Sequence, residues 1–257
     1  NKKFLEKLVK KVSYIIHLAA EISIPYSYIN PNQFVRTNII GTMNILELAK
    51  KYNKEVIITS TSETYGSGKY FPMDENHKIF SQSPYAATKN AADQLSLSFF
   101  NSFNTRIKII RPFNCFGPRQ SKRAIIPSII VQMINSRKSI KIGNINTIRD
   151  FTYVEDLCKA YWKLYKSKNG YGEIMNVCSS NPLKVKKLYE KIKLLTNYKG
   201  KMIIEKKRIR PKNSEVNKLI GSNKKIKRNL KWTSSNFDIN LKITVDWFKN
   251  NLSLFKN

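Results

Sequence analysis

The stretch that most restricts the fold is a strand, a hydroxyl-rich turn and a capped helix in succession. Glu55-Val56-Ile57-Ile58-Thr59 reads as a buried parallel strand. It runs directly into Ser60-Thr61-Ser62-Glu63-Thr64-Tyr65-Gly66, and further on comes Ser83-Pro84-Tyr85-Ala86-Ala87-Thr88-Lys89. Ser83 suits a helix cap and Pro84 the first helical position, while Ala87, Ala91, Leu95 and Phe99 recur at helical spacing. Thr61 then lies at the carboxyl end of a strand, where open α/β sheets bind their ligands. Tyr85 and Lys89, four apart, share one helix face, so the ammonium is expected beside the phenol, favouring its ionised form. A lone Tyr/Lys pair at this spacing is an ordinary exposed helix pair. The strand-end Thr-Ser-Glu in front of the capped helix turns it into a proton relay for alcohol and ketone chemistry.

The rest of the chain repeats the same strand and helix alternation. Strands are predicted at 12–16, 55–59, 107–110 and 174–177, with helices at 1–11, 32–51, 85–102, 124–136 and 154–166. Strands separated by helices imply a parallel sheet with right-handed crossovers. From Leu183 the pattern changes to a helix at 185–196, a strand at 202–205, a loop at 208–214 and helices at 224–230 and 239–250. A length of 257 residues suits one α/β domain with a smaller attached lobe.

Composition narrows the function. The formal net charge of +30 raises a nucleic-acid hypothesis, because basic patches gain affinity by releasing counterions from phosphate. Lys, however, is scattered with Asn and Ile through every predicted helix and forms no basic tract, so the chain is read as binding no nucleic acid. No run of eighteen apolar residues exists, which gives no membrane span and a cytoplasmic expectation. Cys115, Cys158 and Cys178 lie far apart without metal spacing and are read as reduced thiols, with no metal site. Arginine is scarcer and less evenly placed: Arg111, Arg119, Arg123, Arg149, Arg208 and Arg210 together suggest a clamp for a diphosphate, which a planar guanidinium grips bidentately.

Six segments in order carry a family resemblance: His17-Leu18-Ala19-Ala20, Asn38-Ile39-Ile40-Gly41-Thr42, the Ser60 to Gly66 tract, Tyr85 with Lys89, Arg111 to Arg119, and Arg149 to Val154. Together they resemble the extended short-chain dehydrogenase/reductases, the NAD-dependent epimerase/dehydratase family. Within it the similarity is to nucleotide-sugar 4,6-dehydratases, such as the GDP-N-acetylglucosamine 4,6-dehydratase of legionaminic acid synthesis. The resemblance implies a Rossmann-like parallel sheet whose NAD-binding part spans residues 1–112 and 148–178, and an α+β substrate lobe at 113–147 and 179–257. Members begin with a strand, a Gly-rich turn and a helix for the pyrophosphate. Here the first glycine is Gly41 and no Gly-x-Gly-x-x-Gly occurs, so the first βαβαβ segment is expected to be absent.

What the family does then becomes the expectation for these residues. Tyr85 takes the proton of the sugar C4 hydroxyl while NAD accepts the hydride, Lys89 lowers the Tyr85 pKa and holds the ribose, and Thr61 bonds the same oxygen. Glu63 removes the C5 proton, water leaves from C6, and the returning hydride gives a 4-keto-6-deoxy sugar of the kind used in bacterial surface glycans. Leu18, Ala19, Ala20 and Asn38 are expected beside NAD; Asn114, Arg123, Arg149 and Arg210 are expected on the nucleotide sugar. A homodimer through the helices at 32–51 and 85–102 is implied by analogy.

Ser62 departs from the dTDP-glucose dehydratases, which carry an Asp acid there. A hydroxyl is a far weaker acid, so Ser62 either positions the leaving group or the reaction differs. UDP-glucuronate decarboxylases share the Ser-Thr-Ser-Glu tract and stay open as the alternative, as do nucleotide-sugar 4-epimerases. Gln82-Ser83-Pro84-Tyr85, Arg119-Gln120-Ser121 and Ala124-Ile125-Ile126-Pro127 resemble the dehydratase group. Two other classes also stay open, an inactive fragment retaining a nucleotide-sugar pocket and a basic RNA-binding protein. His17 is read as a structural imidazole at a strand end, His77 as solvated in a polar loop, and Trp162, Trp232 and Trp247 as core anchors.

Overall fold

The structure, a computed structural model, describes residues 2–136 and 138–255. Asn1, where the first helix was expected to begin, and the last two residues of the expected lobe lie outside it.

The chain opens with α1 (Lys2–Lys10) and β1 (Tyr14–His17), then α2 (Ile24–Ile29) and α3 (Pro31–Phe34). A π-helical segment, Val35–Ile40, joins α3 to α4 (Gly41–Lys51). Next come β2 (Glu55–Thr59), α5 (Pro84–Phe103), β3 (Ile107–Pro112) and β4 (Asn114–Phe116). They are followed by α6 (Ile125–Asn135), β5 (Ser139–Ile142), β6 (Ile148–Tyr153), α7 (Val154–Lys166) and β7 (Ile174–Val177). The remainder is β8 (Pro182–Lys184), α8 (Val185–Thr196), β9 (Lys201–Ile204), β10 (Lys218–Leu219), α9 (Lys224–Leu230) and α10 (Phe237–Asn250).

Four strands form the main sheet in the order β1-β2-β3-β7, all parallel. Its faces follow from the period of two along β2. Val56 and Ile58 point into a cluster with Ile45, Leu46 and Phe99 from α4 and α5, whereas Ile57 joins Ala160, Leu164 and Trp232 on the other side. Both faces are therefore covered, as a parallel sheet requires.

The predicted strands and helices of this sheet all form, with ends shifted by a few residues. Two placements differ from expectation. Residues 148–153, assigned to the NAD-binding part, instead pair as β6 with β4, β8 and β10 of the lobe. Conversely α9 and Trp232, expected in the lobe, pack on the main sheet through Ile226 and Leu230. The lobe's own core lies among α6, α8 and α10, with Ile129, Leu188, Ile192, Val245 and Phe248 fully buried. A further two-stranded pairing, β5 with β9, closes its edge.

Two readings of single residues are corrected. His77 is not solvated: it is 3% exposed, its Nε2 accepts from the Lys69 N–H at 2.9 Å, and its Nδ1 lies 2.8 Å from the Lys78 carbonyl. Loop composition suggested water, but Tyr65 and Tyr70 enclose the ring. Trp162 is no core anchor, being 57% exposed on the outer face of α7, stacked on Tyr165 and met by the Lys166 ammonium. Trp232 is buried and donates to the Asp156 carbonyl, while Trp247 packs half-buried against the lobe core.

Candidate active site

The site lies over the carboxyl ends of β1, β2 and β3. After β2 the chain turns through a short 3-10 segment, Ser62–Tyr65. Thr61 caps that turn, its Oγ accepting from the Glu63 N–H at 3.2 Å. The turn swings Glu63 outward while Thr61 and Ser62 stay buried. Across from it α5 starts as its sequence dictates, with the Ser83 hydroxyl accepting from the Ala86 N–H at 3.1 Å and Pro84 at the first helical position.

This start sets Tyr85 and Lys89 facing the sheet, 7% and 4% exposed. Burial pushes the Tyr85 phenol up to about 12; a hydrogen bond with Thr61 opposes the rise, and the negative charges of Glu63 and Asp93 add to it. Thr61, Glu63 and Tyr85 thus stand within electrostatic reach of one another. Spacing alone suggested a phenol eased towards ionisation by Lys89. In the structure burial raises the phenol instead, and the Lys89 ammonium turns to the Thr59 carbonyl. Desolvation lowers the Lys89 pKa, with Asp93 raising it in opposition.

Asp93 is a residue that the sequence reading missed. One helical turn beyond Lys89, it is fully buried, paired with Arg111 at 2.7 Å and accepting from the Ser60 hydroxyl at 2.5 Å. Arg111 is therefore not part of a diphosphate clamp: it is 1% exposed and lies 4.7 Å over the Tyr65 ring. The i,i+4 spacing from Lys89 on the buried face was the available signal.

A strap from the lobe, residues 209–215, closes over the cleft. Arg210 meets Glu63 with its two terminal guanidinium nitrogens, at 3.1 and 3.3 Å. Arg149 is buried alongside, 3.6 Å from Glu215, and donates to the Ile148 carbonyl. Arg123 is exposed in the turn before α6, its N–H donating to the Ser121 hydroxyl at 3.3 Å. Arg208 is an exposed partner of Glu205. Asn114, on β4, keeps a buried Oδ1 without a hydrogen-bond partner in the structure.

The β1 end is the remaining wall. Leu18 and Ala19 are exposed and Ala20 half-buried, so an open, small-residue floor follows His17. Asn38 supports that floor from below: its Oδ1 accepts from the Glu21 N–H at 2.9 Å, and its Nδ2 donates to the Glu21 carbonyl and to Thr88 Oγ, each at 3.0 Å. His17 is 3.2 Å from Thr42 Oγ, and burial with the nearby Lys89 charge lowers its pKa to about 4, leaving it neutral.

A parallel, open α/β sheet with a buried Tyr/Lys pair and a strand-end Thr defines the short-chain dehydrogenase/reductase architecture. The chain belongs to the GDP-mannose 4,6 dehydratase family, whose sequence profile it matches over residues 1–242. It is 32% identical to a putative UDP-glucose 4-epimerase of Methanocaldococcus jannaschii, over 94% of this chain and 79% of the relative. It is 33% identical to the UDP-glucuronate 4-epimerase of Thermodesulfobacterium geofontis, over 96% of this chain and 75% of that one. Among solved structures, the dTDP-glucose 4,6-dehydratase of Bacillus anthracis, in complex with NAD, superposes with a TM-score of 0.87 at 27% identity, covering 98% of this chain and 78% of its own. No described helix is long and apolar enough to cross a membrane.

Proposed function

We propose that the protein is an NAD-dependent nucleotide-sugar 4,6-dehydratase that makes a 4-keto-6-deoxy sugar for bacterial surface glycans, as in the legionaminic acid route. The observation that carries this is a Glu63 carboxylate near enough to Tyr85 for its charge to raise the phenol's pKa. Epimerisation at C4 requires only oxidation and re-reduction, and a carboxylate base next to the ketone would endanger the C5 proton. Elimination of water requires such a base.

The residues present fit the nicotinamide-ribose end of the cofactor. Lys89 has three donors and gives one to Thr59, which leaves two for ribose hydroxyls, and the floor at Leu18-Ala19-Ala20 is open. NAD, when bound, supplies a reversible hydride acceptor and a positive ring charge. Tyr85 takes the C4 hydroxyl proton as its phenolate, the form that the positive charge of bound NAD would favour against the burial that raises its pKa, and Thr61 holds the same oxygen. Glu63 takes the C5 proton once the C4 ketone has acidified it. Ser62, buried at the head of the turn, positions the C6 hydroxyl, which departs as water with the proton that Glu63 took from C5. Arg210 and Arg149, with the unpaired Asn114 carbonyl near by in β4, provide polar groups for the diphosphate and sugar. The exposed Val35 and Ile40, on the π-helical segment, and Phe103, at the end of α5, support a homodimer through the helices at 32–51 and 85–102.

A second reading is a protein that holds the nucleotide sugar without converting it. It is favoured by the hold of Arg210 on the Glu63 carboxylate, at 3.1 and 3.3 Å, which occupies the base that elimination needs. One experiment separates these: incubation with NAD and GDP- or UDP-linked N-acetylglucosamine and glucuronate, with products resolved from their epimers by chromatography and identified by mass. Loss of water is expected. Loss of carbon dioxide would mean decarboxylation, an isomer of unchanged mass epimerisation, and no conversion the second reading.

A further inference from the structure

Gln82 stands where three parts of the site meet. Its Oε1 accepts from the Ser67 N–H at 2.6 Å, just beyond the turn that carries Glu63. Its Nε2 donates to the Asn213 carbonyl at 2.7 Å, in the strap that carries Arg210. Its own carbonyl accepts from the Ser214 hydroxyl at 2.6 Å, and Ser214 Oγ is 2.5 Å from the Tyr28 hydroxyl. The next residue, Ser83, caps the helix that carries Tyr85. The close approach depends on Gly66, whose φ is +60° and where a Cβ would come within 2.8 Å of Gln82 Oε1.

We propose that Gln82 is a positioning residue: it fixes the strap against the Glu63 turn, and so sets the reach of Arg210 to the Glu63 carboxylate and to the diphosphate of the nucleotide sugar. The inference rests on the reading of the cleft as a nucleotide-sugar site. Arg210 lies in the connection between two short 3-10 turns, Lys206–Arg208 and Lys212–Ser214. Such a segment has no ladder to hold it, so its side-chain ties decide where the guanidinium stands. Gln82 and Ser214 supply those ties from opposite sides of one peptide unit, and neither needs to touch substrate.

Gln82→Met keeps the length of the side chain, adds no charge and removes both side-chain bonds; the freed Ser67 N–H is exposed to water. With both ties gone the strap presents Arg210 to the diphosphate only part of the time, so the variant should bind nucleoside diphosphate roughly tenfold more weakly, which is about 1.4 kcal/mol. UDP and GDP are the probes, read by calorimetry, in a double-mutant cycle with Arg210→Gln. In the Arg210→Gln background the tenfold loss should shrink to less than about twofold, because there is no guanidinium left to position. Ser214→Ala, which cuts the other tie, should behave in the same way and decides the matter if Gln82→Met does not fold. An equal loss in both backgrounds, or none in either, overturns the proposal. If the unaltered protein binds neither UDP nor GDP, the nucleotide-sugar reading fails and the proposal falls with it.

Discussion

Replacing Asp93 by Asn should unfold the protein at a markedly lower temperature, although Asp93 touches no substrate in the proposed reaction. Arg111 and Asp93 are 1% and 0% exposed and 2.7 Å apart, so neither charge has access to water. The amide is isosteric and still offers an oxygen to the Arg111 Nη2 or the Ser60 hydroxyl. What it removes is the counter-charge of a guanidinium enclosed by Tyr65 and Ser60. Breaking a buried pair from one side costs about 3–5 kcal/mol, and a retained hydrogen bond recovers about 1 of that. A net loss near 3 kcal/mol lowers the melting temperature of a chain of this size by roughly 6–12 °C. Circular dichroism melts at neutral pH read it directly. The double variant Asp93→Asn, Arg111→Met buries no charge and should melt above the single one. A single variant within about 2 °C of the unaltered protein, or a double variant no better than the single, would refute the account of this pair.

The catalytic assignments separate by stage. Glu63→Gln should stop formation of the 4-keto-6-deoxy product while NADH absorbance still reports C4 oxidation; undiminished product would remove Glu63 from the role of base. Tyr85→Phe should lower the first hydride step by about 10²–10⁴-fold, and a turnover within a few-fold of the unaltered protein would exclude the phenol as base. For His17 the folded pKa, about 4, lies below the ordinary 6.5, so as pH falls the unfolded chain takes up the proton first. Stability is then lost between those two values, by up to roughly 3 kcal/mol. His17→Gln should flatten that acid limb in urea titrations, and an unchanged limb would show that another group governs it.

The main sheet and the helix bearing Tyr85 were legible because each carries a local signal: a run of β-branched residues, a Ser-Pro start, an apolar period. The second sheet was not, since β4 and β8 have three residues and β10 has two, too few to show any period. Those strands exist because β6 offers them an edge. Asp93 was missed because its partner, Arg111, lies on the next strand and the pair forms only when α5 packs on β3. The same holds for Arg210 and Glu63, which are 147 residues apart in the chain and meet only across the cleft. His77 and Trp162 were misjudged for the converse reason: residue type predicts average burial, and neighbours decide the particular case.

β6 ends at Tyr153 and α7 begins at Val154, while a single residue, Phe113, separates β3 from β4. The chain thus passes from one sheet to the other at two points with almost no slack. Independent swivelling of the halves is mechanically suppressed there, and the width of the cleft is held by the backbone itself. Adaptation to a different sugar is then left to the 209–215 segment, whose residues could be exchanged without disturbing either rigid junction.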